Sequence, residues 1–489
     1  MKPGSKAMMK AIAICAVFAA VAAAQEPQSE GYRGLVRLNR APVSTDVLRV
    51  KLPRAVERQL SNGLRLLAIE SHRAPTISLT IEIPSTNLRD PDGLPGLAEA
   101  TGALMTLGTS TRSARQIADA LAEIGATLSI GGGGGGGRGG RGGGGGGADG
   151  TISLSSLTEN FDDALAILAD VLLHPSFPAD ELEKWKTRQR SALEQAATNP
   201  TTLGTDAMLL ALYPNDARHV TRPTAESLDK ITRDDLIAHY KNYFVPMGEL
   251  AGVAGDITPQ DAVAKLEKAL SGWKGGPIAR LSLPIAAPIA DKRVILIDRP
   301  DSVQTYLALA NRAIARTDPD YIACMVMNQV LGSGTAARLF RIIREEKGYT
   351  YGVSSSFSAT RYLQHFSSAM SVRTEVTEPA LTDLLKEFRE IRDAPVPKDE
   401  LEGAKRTLVA GFALALENPA NVLSRWLQQR DFGLPEDYWD TYPEKVAAIT
   451  AADVQRVARK YVPYDNVQIV AVGDGTSIRE LLKKFGPVQ

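Results

Sequence analysis

Five histidines, two cysteines and a scatter of serines are the groups from which this 489-residue chain would build hydrolytic or metal chemistry. The histidines are His72, His174, His219, His239 and His365, and no two stand three or four residues apart. No helix can therefore present a histidine pair to a metal ion. Cys15 and Cys324 are too few for a cysteine-rich zinc site or a disulfide framework. The serines at 354–356 and 367–368 lack the Gly-x-Ser-x-Gly setting of a strained nucleophile turn. The run GSGTAA at 332–337 follows a helical segment rather than a strand, which removes it as a dinucleotide loop. One pair remains. Arg344 and Tyr351 lie seven residues apart in LGSGTAARLFRIIREEKGYTYGVSSSF, residues 331–357. A guanidinium fork can hold peptide carbonyls. A tyrosine hydroxyl can donate to the oxyanion of a tetrahedral intermediate. Failing that, Arg344 closes a solvated helix end and Tyr351 packs in a core.

The elements around this pair read as follows. A turn carrying Gly332 and Gly334 leads into a helix over 336–346, Gly348 ends it, and a strand spans 349–357. Arg344 then sits on the last helical turn and Tyr351 on the strand, with Tyr349 on the same strand face. Upstream, residues 65–70 and 76–83 alternate like half-buried strands. Residues 94–107 and 114–124 have helical spacing, 151–157 reads as a strand, and 159–173 and 179–196 read as helices. Strands and helices fall in blocks rather than strict alternation, which predicts an α+β fold with antiparallel sheets and helices packed on them.

The chain repeats itself. ITRDDLIAHYKNYFVP, from Ile231, answers ITAADVQRVARKYVP, from Ile449, and each precedes an apolar strand ending in Gly-Asp, at Asp256 and Asp474. These positions share an offset of 218 residues. FPADELEKWK at 177–186 matches VPKDELEGAK at 396–405, and Gly125 of EIGATLS answers Gly348 of EKGYTYG. Two homologous halves from a duplication are implied, since the period is far too long for a solenoid. On this register the first-half counterparts of Arg344 and Tyr351 are Leu121 and Leu128, so the pair belongs to one copy alone. The halves are expected over 61–271 and 292–489, after an N-terminal extension at 25–60. A Gly- and Pro-containing linker spans 272–291. The tract at 131–147 is glycine at all but two arginine positions. It is expected to form a disordered loop between two first-half strands.

Composition narrows the function. The chain is 44% hydrophobic and 23% charged, with 56 basic and 56 acidic residues. That balance disfavours nucleic acid or a polybasic membrane contact, both of which need a basic excess. Lys2, Lys6 and Lys10, the apolar run at 11–24 and Ala22-Ala23-Ala24 form a cleavable leader over 1–24. The product is expected to be exported, periplasmic or secreted, with no membrane span in the mature chain. Its one remaining cysteine, Cys324, lies in an apolar setting that reads as core packing.

The arrangement NGLRLLAIESHRAPTISLTIEI followed by GLPGLAEATGALMTLGT resembles the M16, insulinase- or pitrilysin-like, zinc metallopeptidases, and the likeness extends through the duplication. In active members the helix opening with this Gly-Leu-Ala carries His-x-x-Glu-His: two zinc ligands and a water-activating glutamate. A later helix adds a third ligand. Here those positions hold Glu99, Gly102 and Ala103, and Glu194 is the nearest candidate for the distal ligand. Metal: none is therefore expected in this chain, and no independent peptidase activity. The resemblance further implies that Arg344 and Tyr351, with Gly332 and Gly334 in the preceding turn, are the family's substrate-binding segment. They would act in trans on the zinc site of another half or subunit. The expectation is a non-catalytic M16B-type subunit, paired with a partner that bears His-x-x-Glu-His and the zinc, and acting on short or unfolded peptides. A structural subunit without a role in proteolysis and a stand-alone exported peptide-binding protein are the alternatives.

Overall fold

The computed structural model describes residues 50–131, 150–215, 217–283 and 286–489. The predicted leader, most of the N-terminal extension and nearly all of the glycine tract lie outside the described residues. The first half opens with β1 (Val56–Gln59), β2 (Arg65–Glu70) and β3 (Thr76–Ile83). Helices α1 (Leu97–Met105) and α2 (Ala114–Glu123) follow, then β4 (Thr127–Gly131) and β5 (Gly150–Leu157). A helical stretch comprises α3 (Phe161–Leu173), α4 (Ala179–Thr198), α5 (Pro200–Leu212), α6 (Ala225–Lys230) and α7 (Arg233–Tyr243). Strand β6 (Leu250–Gly255) and helix α8 (Pro259–Leu270) close it. The second half starts with β7 (Arg293–Asp298), β8 (Gln304–Arg312) and α9 (Tyr321–Leu331). A π-helical segment (Phe340–Glu346), β9 (Thr350–Ala359) and β10 (Gln364–Arg373) follow. Then come α10 (Thr377–Asp393), α11 (Lys398–Ala415), α12 (Pro419–Phe432), α13 (Tyr442–Ala448), α14 (Ala451–Tyr461), β11 (Gln468–Gly473) and α15 (Gly475–Leu482).

The two sheets have one strand order. The first runs β1-β2-β6-β3-β5-β4 and the second β7-β11-β8-β10-β9, so they match once β1 is set aside. Matching elements keep the repeat register. Thr232 and Thr450 each cap their helix, α7 and α14, through a reciprocal bond with the aspartate three residues on, Asp235 or Asp453. Each sheet is antiparallel except for one pair: β2 runs parallel to β6, and β7 parallel to β11. The expected antiparallel sheets with helices packed on them are found, each with this one parallel pair. The last strand of each half inserts between two strands laid down early, antiparallel to one neighbour and so parallel to the other.

Burial follows from what covers each face. In β3 the residues Ile77, Leu79, Ile81 and Ile83 are buried and the intervening positions are not, the alternation of a half-covered strand. Strands β6 and β11 are buried at every residue. Central strands covered on both faces read as continuous apolar runs. One face of each sheet rests on its own half's helices; Phe161, Leu165 and Leu168 of α3 lie in the first core, and Leu381, Leu384 and Phe388 of α10 in the second. Fully burying each such side chain contributes about 1.5–3 kcal/mol.

The other face is covered by the opposite half. Helix α5 of the first half places Met208, Leu209 and Leu212 against Tyr306, Ala308, Val470 and Val472 of the second sheet. Helix α12 of the second half places Val422, Leu423, Trp426 and Leu427 against Leu67, Ile69, Leu250 and Ala254 of the first. Both helices begin in the same way: Asn199 and Asn418 cap them, each followed by a proline at the first position. Glycines allow the close approach. A Cβ on Gly204 would stand 2.3 Å from the Tyr306 ring, and one on Gly252 2.7 Å from Leu423.

Candidate functional site

The first-half position lies on α1. A half-buried carboxylate holds that helix in place: Asp90 accepts the Gly96 and Ala98 N–H groups at 2.7 and 2.8 Å. Burial pushes the Asp90 carboxyl up to about 6, against the pull of these bonds. Gly96 itself sits at φ 96° with no room for a side chain beside Pro223. Three residues on, Glu99 is half-buried, and its Oε1 accepts from Gln189 Nε2 of α4 at 2.9 Å. Burial raises the Glu99 carboxyl, while the Gln189 bond and the Arg222 charge draw it back. Gly102 and Ala103 bring no donor atom, and Glu194 is exposed on α4. Among the described residues no group of three or more His, Cys, Asp or Glu side chains is placed to hold a metal ion. A zinc site takes at least three protein ligands, so one carboxylate bound by an amide does not fit it.

A serine–histidine contact does occur, between Ser85 Oγ and His239 Nε2 at 2.9 Å. Both residues are buried. Desolvation, then the Arg89 charge, holds the His239 imidazole down at about 4. No substrate reaches this pair.

The second-half segment is organised differently. Helix is not formed from residue 336; Ala336 and Ala337 belong to a turn, and the N–H of Lys347 bonds the carbonyl of Ile342, five residues back. The widened turn of a π-helix changes which side chains stack. Arg338 is held by Glu400 at 2.7 Å, and Arg341 by Glu346 and Glu400 at 3.1 and 3.5 Å. Arg344 has no carboxylate partner among the described residues. Its guanidinium lies 4.5 Å from the Phe340 ring centre, and the residue is exposed.

Tyr351 stands on a β-bulge. Met370 faces Val353 and Val372 faces Thr350, so Tyr351 and Gly352 together oppose Ser371. Thr350 Oγ1 fixes the bulge, donating to the Ser371 carbonyl at 2.7 Å and accepting the Gly352 N–H at 3.2 Å. Tyr351 is 94% exposed, which rules out the core position. Tyr349 precedes β9 and packs against the second core, so the two tyrosines do not share a face. Gly332 is buried, its carbonyl accepting the Ser355 N–H at 3.1 Å. A Cβ there would lie 2.2 Å from Ser355 Oγ. Gly334 is exposed at φ 94°. Among the described residues no hydrogen bond, ion pair or ring contact joins Glu99 to Arg344 or Tyr351.

The first half supplies the comparison within the chain. Gly125 and Gly348 end their helical segments at φ 62° and 64°. Counted from these glycines, Leu121 and Leu128 occupy the places of Arg344 and Tyr351, and both pack against the first core. One copy thus packs half-buried leucines where the other exposes a cation and a phenol.

Residues 230–408 match the family model described as the inactive domain of peptidase M16. The chain is 26% identical to the crystal structure of the peptidase M16 inactive domain from Pseudomonas fluorescens, with a TM-score of 0.75 over 86% of this chain and 98% of that one. The chain is thus similar to the M16 inactive domain over residues 230–408 and shares its fold. A zinc protease of Bacillus subtilis described as uncharacterized, YmxG, is 24% identical over 74% of this chain and 85% of its own length. The Helicobacter pylori protein described as non-peptidase homolog YmxG is 24% identical over 66% and 74%. A protease structure from Helicobacter pylori shares the fold at a TM-score of 0.76 and 16% identity. Within the M16 frame, Gln189 and Asp90 are the residues that the sequence did not disclose. Gln189 meets Glu99 across ninety residues, and Asp90 reaches the start of α1 from six and eight residues upstream, outside any recognisable capping pattern.

Proposed function

We propose that this chain is the non-catalytic, substrate-binding subunit of a two-chain M16 peptidase, exported and paired with a subunit that bears His-x-x-Glu-His and its zinc. The observation that carries the reading is the exposure of Arg344 and Tyr351 where the duplicated copy packs half-buried leucines against its core. An exposed tyrosine on a bulge fixed by Thr350 has no packing role, and an exposed arginine seven residues before it, without a carboxylate partner among the described residues, suits a carbonyl-rich ligand. In this reading Arg344 holds peptide carbonyls. The Tyr351 hydroxyl would donate to the oxyanion developing on the scissile carbonyl, while a metal held by the partner would supply the Lewis-acid chemistry. Gly332 and Gly334 shape the turn that presents them. The substrates are short or unfolded peptides. Glu99, Gly102 and Ala103 support assigning the metal to the partner.

The test is reconstitution. The mature chain is mixed with an M16 chain carrying His-x-x-Glu-His, and cleavage of a quenched peptide is followed. Activity that requires both chains, and falls in the Arg344→Ala, Tyr351→Phe double variant, supports the proposal. Full activity in the double variant favours the structural reading instead.

A further inference from the structure

Away from the hairpin, the ends of two second-half helices and the β8 terminus surround a cavity of about 260 Å³. Its charged lining is Arg312 at the end of β8, Arg392 in the last turn of α10, Arg459 and Lys460 in the last turn of α14, and Asp465 at the rim. Pro288 of the inter-half segment closes one side, and Asn311 clamps that segment through the Ile289 N–H and carbonyl, both at 2.9 Å. Four cations against one carboxylate is a strong local excess in a chain whose overall formal charge is zero.

Part of this charge has a structural reason. Cations at helix C-termini meet the free carbonyls and the negative end of the helix dipole. Arg392 Nη1 donates to the Val462 carbonyl at 2.8 Å, and Arg459 Nε to the Arg392 carbonyl at 2.9 Å. Arg312 donates Nη1 to the Ala287 carbonyl at 3.0 Å and Nε to the Leu212 carbonyl. Lys460 is taken by Asp320 at 3.0 Å, and Arg392 Nη2 reaches Asp465 at 3.4 Å. These bonds leave the charges of Arg312 and Arg459 without a carboxylate among the described residues. They also fix both guanidinium planes, Arg459 by Nε alone and Arg312 by Nε and Nη1, which orients the Nη groups of Arg459 and the Nη2 group of Arg312. Two oriented guanidinium groups around a recess match an oxyanion with several acceptor oxygens.

We propose that this recess binds a small oxyanion carrying two or more negative charges, of the phosphate class. Arg312 and Arg459 supply the principal donors, Arg392 and Lys460 add field, and Asp465 weakens the site. Binding ties the inter-half segment, through Arg312 and Ala287, to the α14 terminus.

The experiment titrates the full mature chain with inorganic pyrophosphate by calorimetry at constant ionic strength, with chloride as the reference. One saturable site is expected. Arg459→Gln should weaken it about tenfold, the worth of one charge-assisted contact. Asp465→Asn should strengthen it several-fold by removing a like charge. Arg389→Gln, an exposed cation elsewhere on α10 paired with Asp393, should stay within about threefold of wild type. The phosphate of a lipid headgroup has the same chemistry, so sedimentation with phosphatidylglycerol vesicles, with and without pyrophosphate as competitor, separates the sources. Binding of either probe that Arg459→Gln weakens and Asp465→Asn strengthens supports the site. No saturable binding of either probe overturns it, and so does an equal loss in Arg389→Gln. Arg459 is exposed, and circular dichroism of its variant checks the fold; Asp465→Asn tests the site independently.

Discussion

At the scale of single residues, the chain separates groups that chemistry needs from groups that packing needs. In the reconstituted two-chain enzyme, Tyr351→Phe is expected to lower turnover about 10²-fold, as loss of an oxyanion donor does elsewhere. Arg344→Ala should act chiefly on KM, because carbonyls are held in both ground and transition states. Neither should shift the melting temperature, since both side chains are exposed. Leu121→Ala and Leu128→Ala should do the reverse, lowering stability by about 1–3 kcal/mol for half-buried leucines and leaving kinetics alone. Glu387 gives a pH prediction. It is buried on α10 with one carboxylate oxygen unpartnered, and burial, with Glu390 adding to it, pushes its carboxyl up to about 7. Arg338, Lys386 and Arg341 pull the other way. The folded state therefore keeps this proton while the unfolded chain has lost it, between the ordinary carboxyl value and about 7. Its contribution to stability falls as pH rises through that window. Glu387→Gln should raise the melting temperature above pH 7 and change little near pH 4.5; an equal shift at both would remove this assignment. Arg344 and Tyr351 were legible in the sequence because the repeat supplied their leucine counterparts. Gln189, Asp90 and Glu387 were not: Gln189 meets Glu99 ninety residues away, Asp90 caps α1 from outside any standard capping spacing, and Glu387 is set apart by its burial.

At the scale of elements, the strands over 65–70 and 76–83 and the helix beginning at 114 stood in the sequence with nearly their observed bounds, because periodicity and caps agree there. The hairpin that carries Arg344 and Tyr351 departs from such rules. A π-helix and a β-bulge each insert one residue relative to regular structure, and no local pattern announces either. Gly332 bears on both. Adding a methyl there drives it against Ser355 Oγ and, at 2.6 Å, against the Ser355 backbone nitrogen. Gly332→Ala is therefore expected to cost about 1–3 kcal/mol. It should also reduce activity in the two-chain enzyme without touching substrate, by displacing β9. Thermal melts paired with kinetics check this, and a variant with native stability would contradict the close approach. The glycine tract belongs to the opposite case. It connects β4 to β5, which pair with Gly131 opposite Thr151. Replacing 131–147 with a short turn should leave the melting temperature unchanged or slightly raised, because a glycine-rich chain costs entropy to order and offers no apolar side chain to bury.

At the scale of the whole molecule, the duplication was visible in the sequence, but the exchange of α5 and α12 between the halves was not. Asn-Pro at 199–200 and at 418–419 mark two helix starts; which sheet each helix then covers depends on the chain path. Nor could alternation within strands reveal that β6 and β11 insert beside a parallel neighbour about 180 residues away. The exchange has a thermodynamic consequence. Without α12, the first sheet would expose Leu67, Ile69, Leu250 and Ala254; without α5, the second would expose Tyr306, Ala308, Val470 and Val472. Neither half then has a complete core, so the two should melt as one cooperative unit despite their common ancestry and separate sheets. Calorimetry of the mature chain is expected to show one transition with equal calorimetric and van't Hoff enthalpies. Gly204→Leu probes the coupling from one side. Its side chain collides with Tyr306 of the second sheet, and the expected cost is about 1–3 kcal/mol. If the halves are coupled, this first-half substitution moves the single transition to lower temperature and leaves it single. Two resolved transitions, with only the second-sheet one displaced, would mean that each half holds its own fold and that the exchanged helices merely rest on surfaces stable without them.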